Sequence, residues 1–247
     1  MRRKLRKALQ VPFPERWRAL LAERTWWWPT LGEGERARLE DLIRLFLAGK
    51  SFEGTRGFEP TEEMRVLIAA QACLLILDHD FGLYDDVTSI IVSPSAVPHR
   101  GPRRLDGGIE SDEGTMLAGQ AMLHGPVLIT WDSASNQARH PERGHNVVFH
   151  EFAHKLDMRN GAPDGVPPLS AELKERWEPA LRSILQELRD GTAAGLDSYG
   201  ATNPAELLAV ATEAFFDTPV ALRRHQPELY ALLEAFYRQD PAGRQAP

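Results

Sequence analysis

The sequence predicts an α+β fold dominated by helices, with a small sheet just ahead of one histidine-bearing helix. Three observations carry this. Helical periodicity recurs along most of the 247 residues, punctuated by proline, glycine and asparagine. Only two short segments, 87–92 and 127–131, read as strands, on their β-branched and apolar content. Both precede His150-Glu151-Phe152-Ala153-His154, whose two histidines, four apart, share a helix face.

Taken in order, helical patterns cover residues 15–22, 34–48 and 61–77. The third opens with Thr61-Glu62-Glu63 after Pro60, a helix start signature. Residues 87–92 form the first strand. A Gly- and Pro-punctuated stretch, 94–126, predicts a long loop and a hairpin or two, with turn signals at 106–108 and 112–114. Gly125-Pro126 leads into the second strand, 127–131. The motif helix then runs from about 145 to 158 and stops at Asn160-Gly161. Further helices are expected at 171–189, from Asn203-Pro204 to about 216, and at 227–238. Residues 51–247 read as one catalytic domain, and residues 1–50 as a helical extension packed on it. Trp26-Trp27-Trp28 is assigned to core or domain packing rather than to a ligand surface.

Composition sets the class. Hydrophobic residues at 43% and charged residues at 26% fit a globular protein. A net charge of -6 argues against a direct nucleic-acid binder, and the basic start, Arg2 to Lys7, reads as a solvated tail. No apolar run approaches the roughly 20 residues of a membrane span. Cys73 is alone, so no internal disulfide forms, and no apolar leader follows the basic start, which together point to the cytoplasm.

The chemistry lies in the motif. Imidazoles at i and i+4 reach one metal ion, while Glu151 projects about 100° from His150 and sits beside the ion as a general base. Catalytic zinc takes three protein ligands, so one more must come from elsewhere. Asp157 and Asn160 do not extend the series as a third histidine would. Glu206 and Glu213 remain, 52 and 59 residues after His154 and seven apart on one helix face. Glu206 also suits a capping box with Asn203, and Glu213 could face solvent or pair with Arg223 or Arg224. Spacing alone leaves the two open.

The run from His145 to Asp157, followed by Tyr199-Gly200-Ala201-Thr202-Asn203-Pro204-Ala205-Glu206, resembles the Mlc titration factor A family of bacterial zinc peptidases. The likeness extends to Ile68–Leu75, Ile90-Ile91-Val92 and Phe215-Phe216, most of the chain beyond about residue 50. The same Tyr…Glu arrangement is similar to the catalytic domain of anthrax lethal factor. The resemblance implies a zincin-like fold, one zinc ion per chain held by His150, His154 and Glu206, and aminopeptidase-like hydrolysis of peptide or protein substrates. It also implies Tyr199 as the donor to the oxyanion and a Mlc-type transcriptional repressor as partner.

Around that site, Asp157 and Glu213 are candidates to support the ligands, accepting from an imidazole's outer nitrogen or a nearby backbone group. Capping of the helix end is the other use for Asp157. His124, His140 and His145 fit no zinc spacing. Strand 127–131 is expected to offer an edge to an extended peptide, with Gly119 and Gly125 permitting close approach. A regulatory binding protein with a structural or vestigial zinc site is the alternative, which the intact Glu151 disfavours. A metal-dependent hydrolase of some other bond is a third reading.

Overall fold

Where the sequence alternates apolar and polar positions at helical spacing, the chain coils. A computed structural model describes residues 2–95, 103–104, 110–111, 119–121, 125–161 and 163–245. Its helices are α1 (Arg2–Gln10), α2 (Glu15–Arg24), α3 (Glu33–Gly49), α4 (Glu62–Leu75), α5 (Trp131–Gln137), α6 (Val147–Asp157), α7 (Ala171–Arg189), α8 (Pro204–Asp217), α9 (Pro219–His225), α10 (Pro227–Tyr237) and α11 (Pro241–Arg244). The strands are β1 (Ser51–Gly54), β2 (Ser89–Ser93), β3 (Arg103–Arg104), β4 (Glu110–Ser111), β5 (Gly119–Ala121) and β6 (Val127–Thr130). The helix-dominated α+β class is as expected. The turn signals at 106–108 and 112–114, and His124, lie outside the described residues.

The basic start is a helix rather than a frayed tail. Leu5 and Ala8 of α1 turn inward, α1 packs on α3, and the Arg44 guanidinium donates to the carbonyls of Leu9 and Val11. The Leu9 carbonyl is an orphan at the end of α1, and Val11 is the first residue beyond it, so a cation there satisfies both. Farther on, Trp27 and Trp28 are buried and Trp26 half-buried, in keeping with a packing role for the run.

The main sheet has the order β1-β2-β6-β5. β1, β2 and β6 run parallel, and β5 runs antiparallel to β6. Ile90, Val92, Val127 and Ile129 alternate inward, so one face meets the core, as period 2 requires. The order corrects one expectation. β6 is paired on both sides and offers no free edge to a peptide; the edge beyond it belongs to β5. Trp131, read as the end of the second strand, instead opens α5.

One hydrophobic cluster runs from Phe13 to Ala242 and includes both β2 and the buried face of α6. Phe46 of α3, Tyr84 and Phe152 of α6 form an aromatic triangle with centroids 5.1–6.2 Å apart. The side of α6 opposite its histidines is therefore seated in the core, where each such ring pair adds about 0.5–1.5 kcal/mol beyond burial.

Gly165 fixes the loop after α6. Its φ of +75° suits glycine, and a Cβ there would fall 2.4 Å from the Pro204 carbonyl oxygen at the start of α8. Its N–H donates to Asp157 Oδ2 at 2.9 Å, and its carbonyl accepts from the Trp177 indole of α7 at 2.8 Å. One residue thus locks the end of α6 against α7 and α8.

Candidate metal centre

Two helices build the site, each started by an asparagine. Asn146 Oδ1 accepts from the N–H groups of Val148 and Phe149, opening α6. Asn203 Oδ1 accepts from the Glu206 N–H with Pro204 at the first helical position, opening α8. α6 and α8 then pack against each other.

His150 Nε2, His154 Nε2 and Glu206 Oε2 converge. The two nitrogens are 3.2 Å apart, and the oxygen lies 3.0 Å from the first and 3.4 Å from the second. With bonds of about 2.0–2.1 Å, a tetrahedral ion would hold its ligand atoms about 3.3 Å apart, close to what is seen. Glu206 Oε2 is buried and no N–H is aimed at it, despite ion-pair distances. Two ring nitrogens and a carboxylate oxygen thus meet within reach of one ion, which fits a metal. Among the described residues, this trio is the one cluster of three or more His, Cys, Asp or Glu so arranged.

The electrostatics favour positive charge at this point. Burial raises the Glu206 carboxyl, but His150 and His154 outweigh it and bring it down to about 2. Burial likewise opposes charge on His150, and Glu206 and Glu213 more than reverse this, raising it well above the usual imidazole value. Both shifts express the same demand for positive charge between the helices.

Glu213 does not join the trio. Its Oε1 accepts from His150 Nδ1 at 2.7 Å and its Oε2 accepts from the Asn146 N–H at 2.5 Å. With Nδ1 donating, Nε2 is left with its lone pair toward Glu206. The geometry thereby separates the two glutamates that spacing left open.

Glu151 is 3% exposed and its Oε2 has no partner. Burial pushes its carboxyl up to about 8; His150 opposes this while Glu206 and Glu213 add to it. Tyr199, on a 3-10 turn over Ser198–Ala201, is half exposed, with its ring 6.1 Å from that of His150. Partial burial, then the charges of Glu206, Glu151 and Glu213, push its hydroxyl up to about 12, so it stays a donor across the neutral range.

Asp157 meets neither imidazole and instead accepts from the Gly165 backbone. Burial pushes it up to about 7, against an ordinary 3.8. A raised acid favours the protonated fold, so its contribution is complete below pH 4 and lost as pH rises from about 4 to 7. The rise from 3.8 to about 7 limits the loss to roughly 4 kcal/mol. Asp157→Asn should therefore gain stability relative to wild type by several degrees of Tm between pH 4 and pH 8. Thermal melts at both pH values check this; a difference that stays constant with pH would refute it.

Sequence reasoning missed Gln71, Asn146 and Asp197. Asp197 caps the turn that carries Tyr199 and pairs with His145 at 3.4 Å. Asn146 was visible as a cap residue just ahead of the motif, and Gln71 as a polar residue in an apolar run.

Residues 1–238 match the family model described as glucose-regulated metallopeptidase M90. The chain belongs to the M90 metallopeptidase family. The match begins at residue 1, earlier than the start near residue 50 suggested by the motifs. An uncharacterised protein of Synechocystis sp. is 36% identical over 242 residues, covering 96% of this chain and 88% of that one. Mlc titration factor A of Serratia proteamaculans is 33% identical over 221 residues, covering 87% and 84%. Its namesake in Salmonella gallinarum is 33% identical over 217 residues, covering 85% and 81%. M90 membership implies a metal, and among the described residues His150, His154 and Glu206 are so arranged that they could hold one. No helix among the described residues is long and apolar enough to cross a membrane.

Proposed function

We propose that this chain is a cytoplasmic zinc peptidase, aminopeptidase-like, with His150, His154 and Glu206 as ligands and Glu151 as general base. The observation that carries it is three converging ligand-type atoms beside a buried carboxylate with an unpartnered oxygen. Two imidazoles and a carboxylate are a common set in zinc peptidases. When bound, zinc polarises the scissile carbonyl and lowers the pKa of water. Glu151 takes a proton from the attacking water and passes it to the leaving nitrogen, a task suited to a carboxyl whose pKa lies near neutrality. Tyr199, at the mouth of the site, donates to the oxygen on which negative charge develops. Glu213 keeps His150 in one tautomer throughout. Residues before 50 share the core with α6, which supports treating them as a layer packed on the catalytic domain at 51–247.

The second part of the proposal, a Mlc-type repressor as protein partner, rests on the relatives' name. The alternative, a binding protein with a structural ion, gives the buried Glu151 no task.

The test is cleavage of a peptide mixture by zinc-loaded protein, with free and acetylated N-termini compared. Cleavage restricted to free N-termini supports the full proposal; cleavage of both retires only the aminopeptidase element. No cleavage with zinc held favours the binding protein. Tyr199→Phe should lower kcat by about 10²-fold with KM little changed, as for loss of one oxyanion donor. Steady-state kinetics check it, and an unchanged kcat would remove Tyr199 from the chemistry.

A further inference from the structure

The apolar stretch Val66–Leu77 of α4 and its C-terminal turn contains one polar side chain, Gln71, and it is 1% exposed. A buried primary amide is costly unless its donor and acceptor sides are both used. Gln71 Nε2 donates to the Leu67 carbonyl at 3.2 Å, one turn back. A carbonyl only accepts, so this contact fixes the amide's orientation and leaves Oε1 as the acceptor. Oε1 receives the Asn146 Nδ2 amide at 2.8 Å. Asn146, also 1% exposed, is fixed in turn: Nδ2 points to α4, so Oδ1 faces the N–H groups of Val148 and Phe149.

That orientation has a consequence at the metal centre. With its side chain held between α4 and α6, Asn146 presents its backbone N–H to Glu213 Oε2. Glu213 Oε1 then takes the Nδ1 proton of His150, whose Nε2 faces Glu206. Donor and acceptor roles are set in turn from the Leu67 carbonyl to Gln71 to the Asn146 side chain, and from Glu213 to His150; the Asn146 backbone N–H, held in place by its side chain, joins the two runs by position. Such a chain holds its members more firmly than the same bonds taken singly.

We infer that Gln71 and Asn146 are positioning residues for the metal centre, aiming Glu213 and through it the lone pair of His150. The inference rests on the reading of His150 as a ligand. It also gives a role to the α4 segment, which none of the site residues accounts for. Neither residue touches the ion or substrate; each acts through Glu213.

The test measures zinc affinity of the full chain by competition with a chromophoric chelator, alongside Tm of the metal-free protein. Gln71→Met keeps the volume and removes the amide. Asn146→Ser keeps a short cap acceptor and removes the donor to α4. Each should weaken zinc binding about tenfold, the lower end for residues that support a ligand. The double variant should be no weaker than about the worse single one, because both cut the same chain. Tyr84→Phe is the control, since it removes a buried bond from the Tyr84 hydroxyl to the Ala72 carbonyl on the same helix. It should lower Tm and leave zinc affinity unchanged. Histidine nitrogen NMR adds a direct readout, with His150 locked in its Nδ1–H form in wild type and mixed in Asn146→Ser.

Wild-type zinc affinity in both single variants, with Tm lowered as in Tyr84→Phe, would overturn the inference, as would additive losses in the double variant. If Gln71→Met fails to fold, Asn146→Ser decides on the same criteria. Peptide cleavage is read separately. Zinc affinities in the expected order without any cleavage would sink the peptidase reading and keep the positioning role.

Discussion

Glu151→Gln should abolish peptide turnover, by about 10²–10⁴-fold or more, while leaving zinc affinity within a small factor of wild type. The amide is nearly the same shape, and the site has no donor on Oε2 to be offended by it. What it lacks is the capacity to take a proton from water. The proposed ligand atoms lie on His150, His154 and Glu206, so on that reading the ion has no direct stake in the substitution. Peptide kcat/KM and chelator competition on the same preparations check the pair of expectations. Turnover near wild type would remove Glu151 as the base. Loss of zinc together with turnover would mean that the carboxylate shapes the ligand set instead.

Glu206→Ala should cost the site its metal, weakening zinc by more than about 100-fold. Two imidazoles would remain where three ligands are the rule. The helix itself should survive, because Asn203 and Pro204 start α8 without the Glu206 side chain. A hundredfold loss removes up to about 2.7 kcal/mol of zinc-dependent stabilisation at a given free zinc concentration. That corresponds to roughly 5–10 °C of Tm in a chain of this size. Melts with and without zinc read it directly: the gap between the two curves should shrink in the variant. An unchanged gap would show that Glu206 is not a ligand and would turn attention to Glu213.

Much of this was legible because local chemistry and global fold agree. Helix starts at Thr61 and Asn203 were written in cap residues, and the helices at 171–189 and 227–238 formed within a residue of expectation. The histidine pair was plain because a fixed spacing on a helix fixes geometry. What was hidden depends on pairing between distant segments. β1 is four residues with no strong β signal and exists through its register with β2. α1 gains its place from Leu5 and Ala8 against α3 and from Arg44, none of which local charge discloses. The separate tasks of Glu206 and Glu213 could not be read from a spacing of seven, since one face serves both. Only the position of the His150 ring between them tells the two apart.

The separation of the proposed ligands along the chain has a consequence in time. His150 and His154 leave the ribosome first, and Glu206 follows 52 residues later. At about 5–20 residues per second, synthesis takes roughly 3–10 seconds to bridge that gap. During those seconds the nascent chain carries a histidine pair whose third ligand does not yet exist. α8 brings Glu206 and also Glu213, so completion of the ligand set and alignment of His150 arrive with one helix. On the proposed ligand set, metallation waits for α8, and the newborn polypeptide passes through a window in which it has no complete claim on a metal ion.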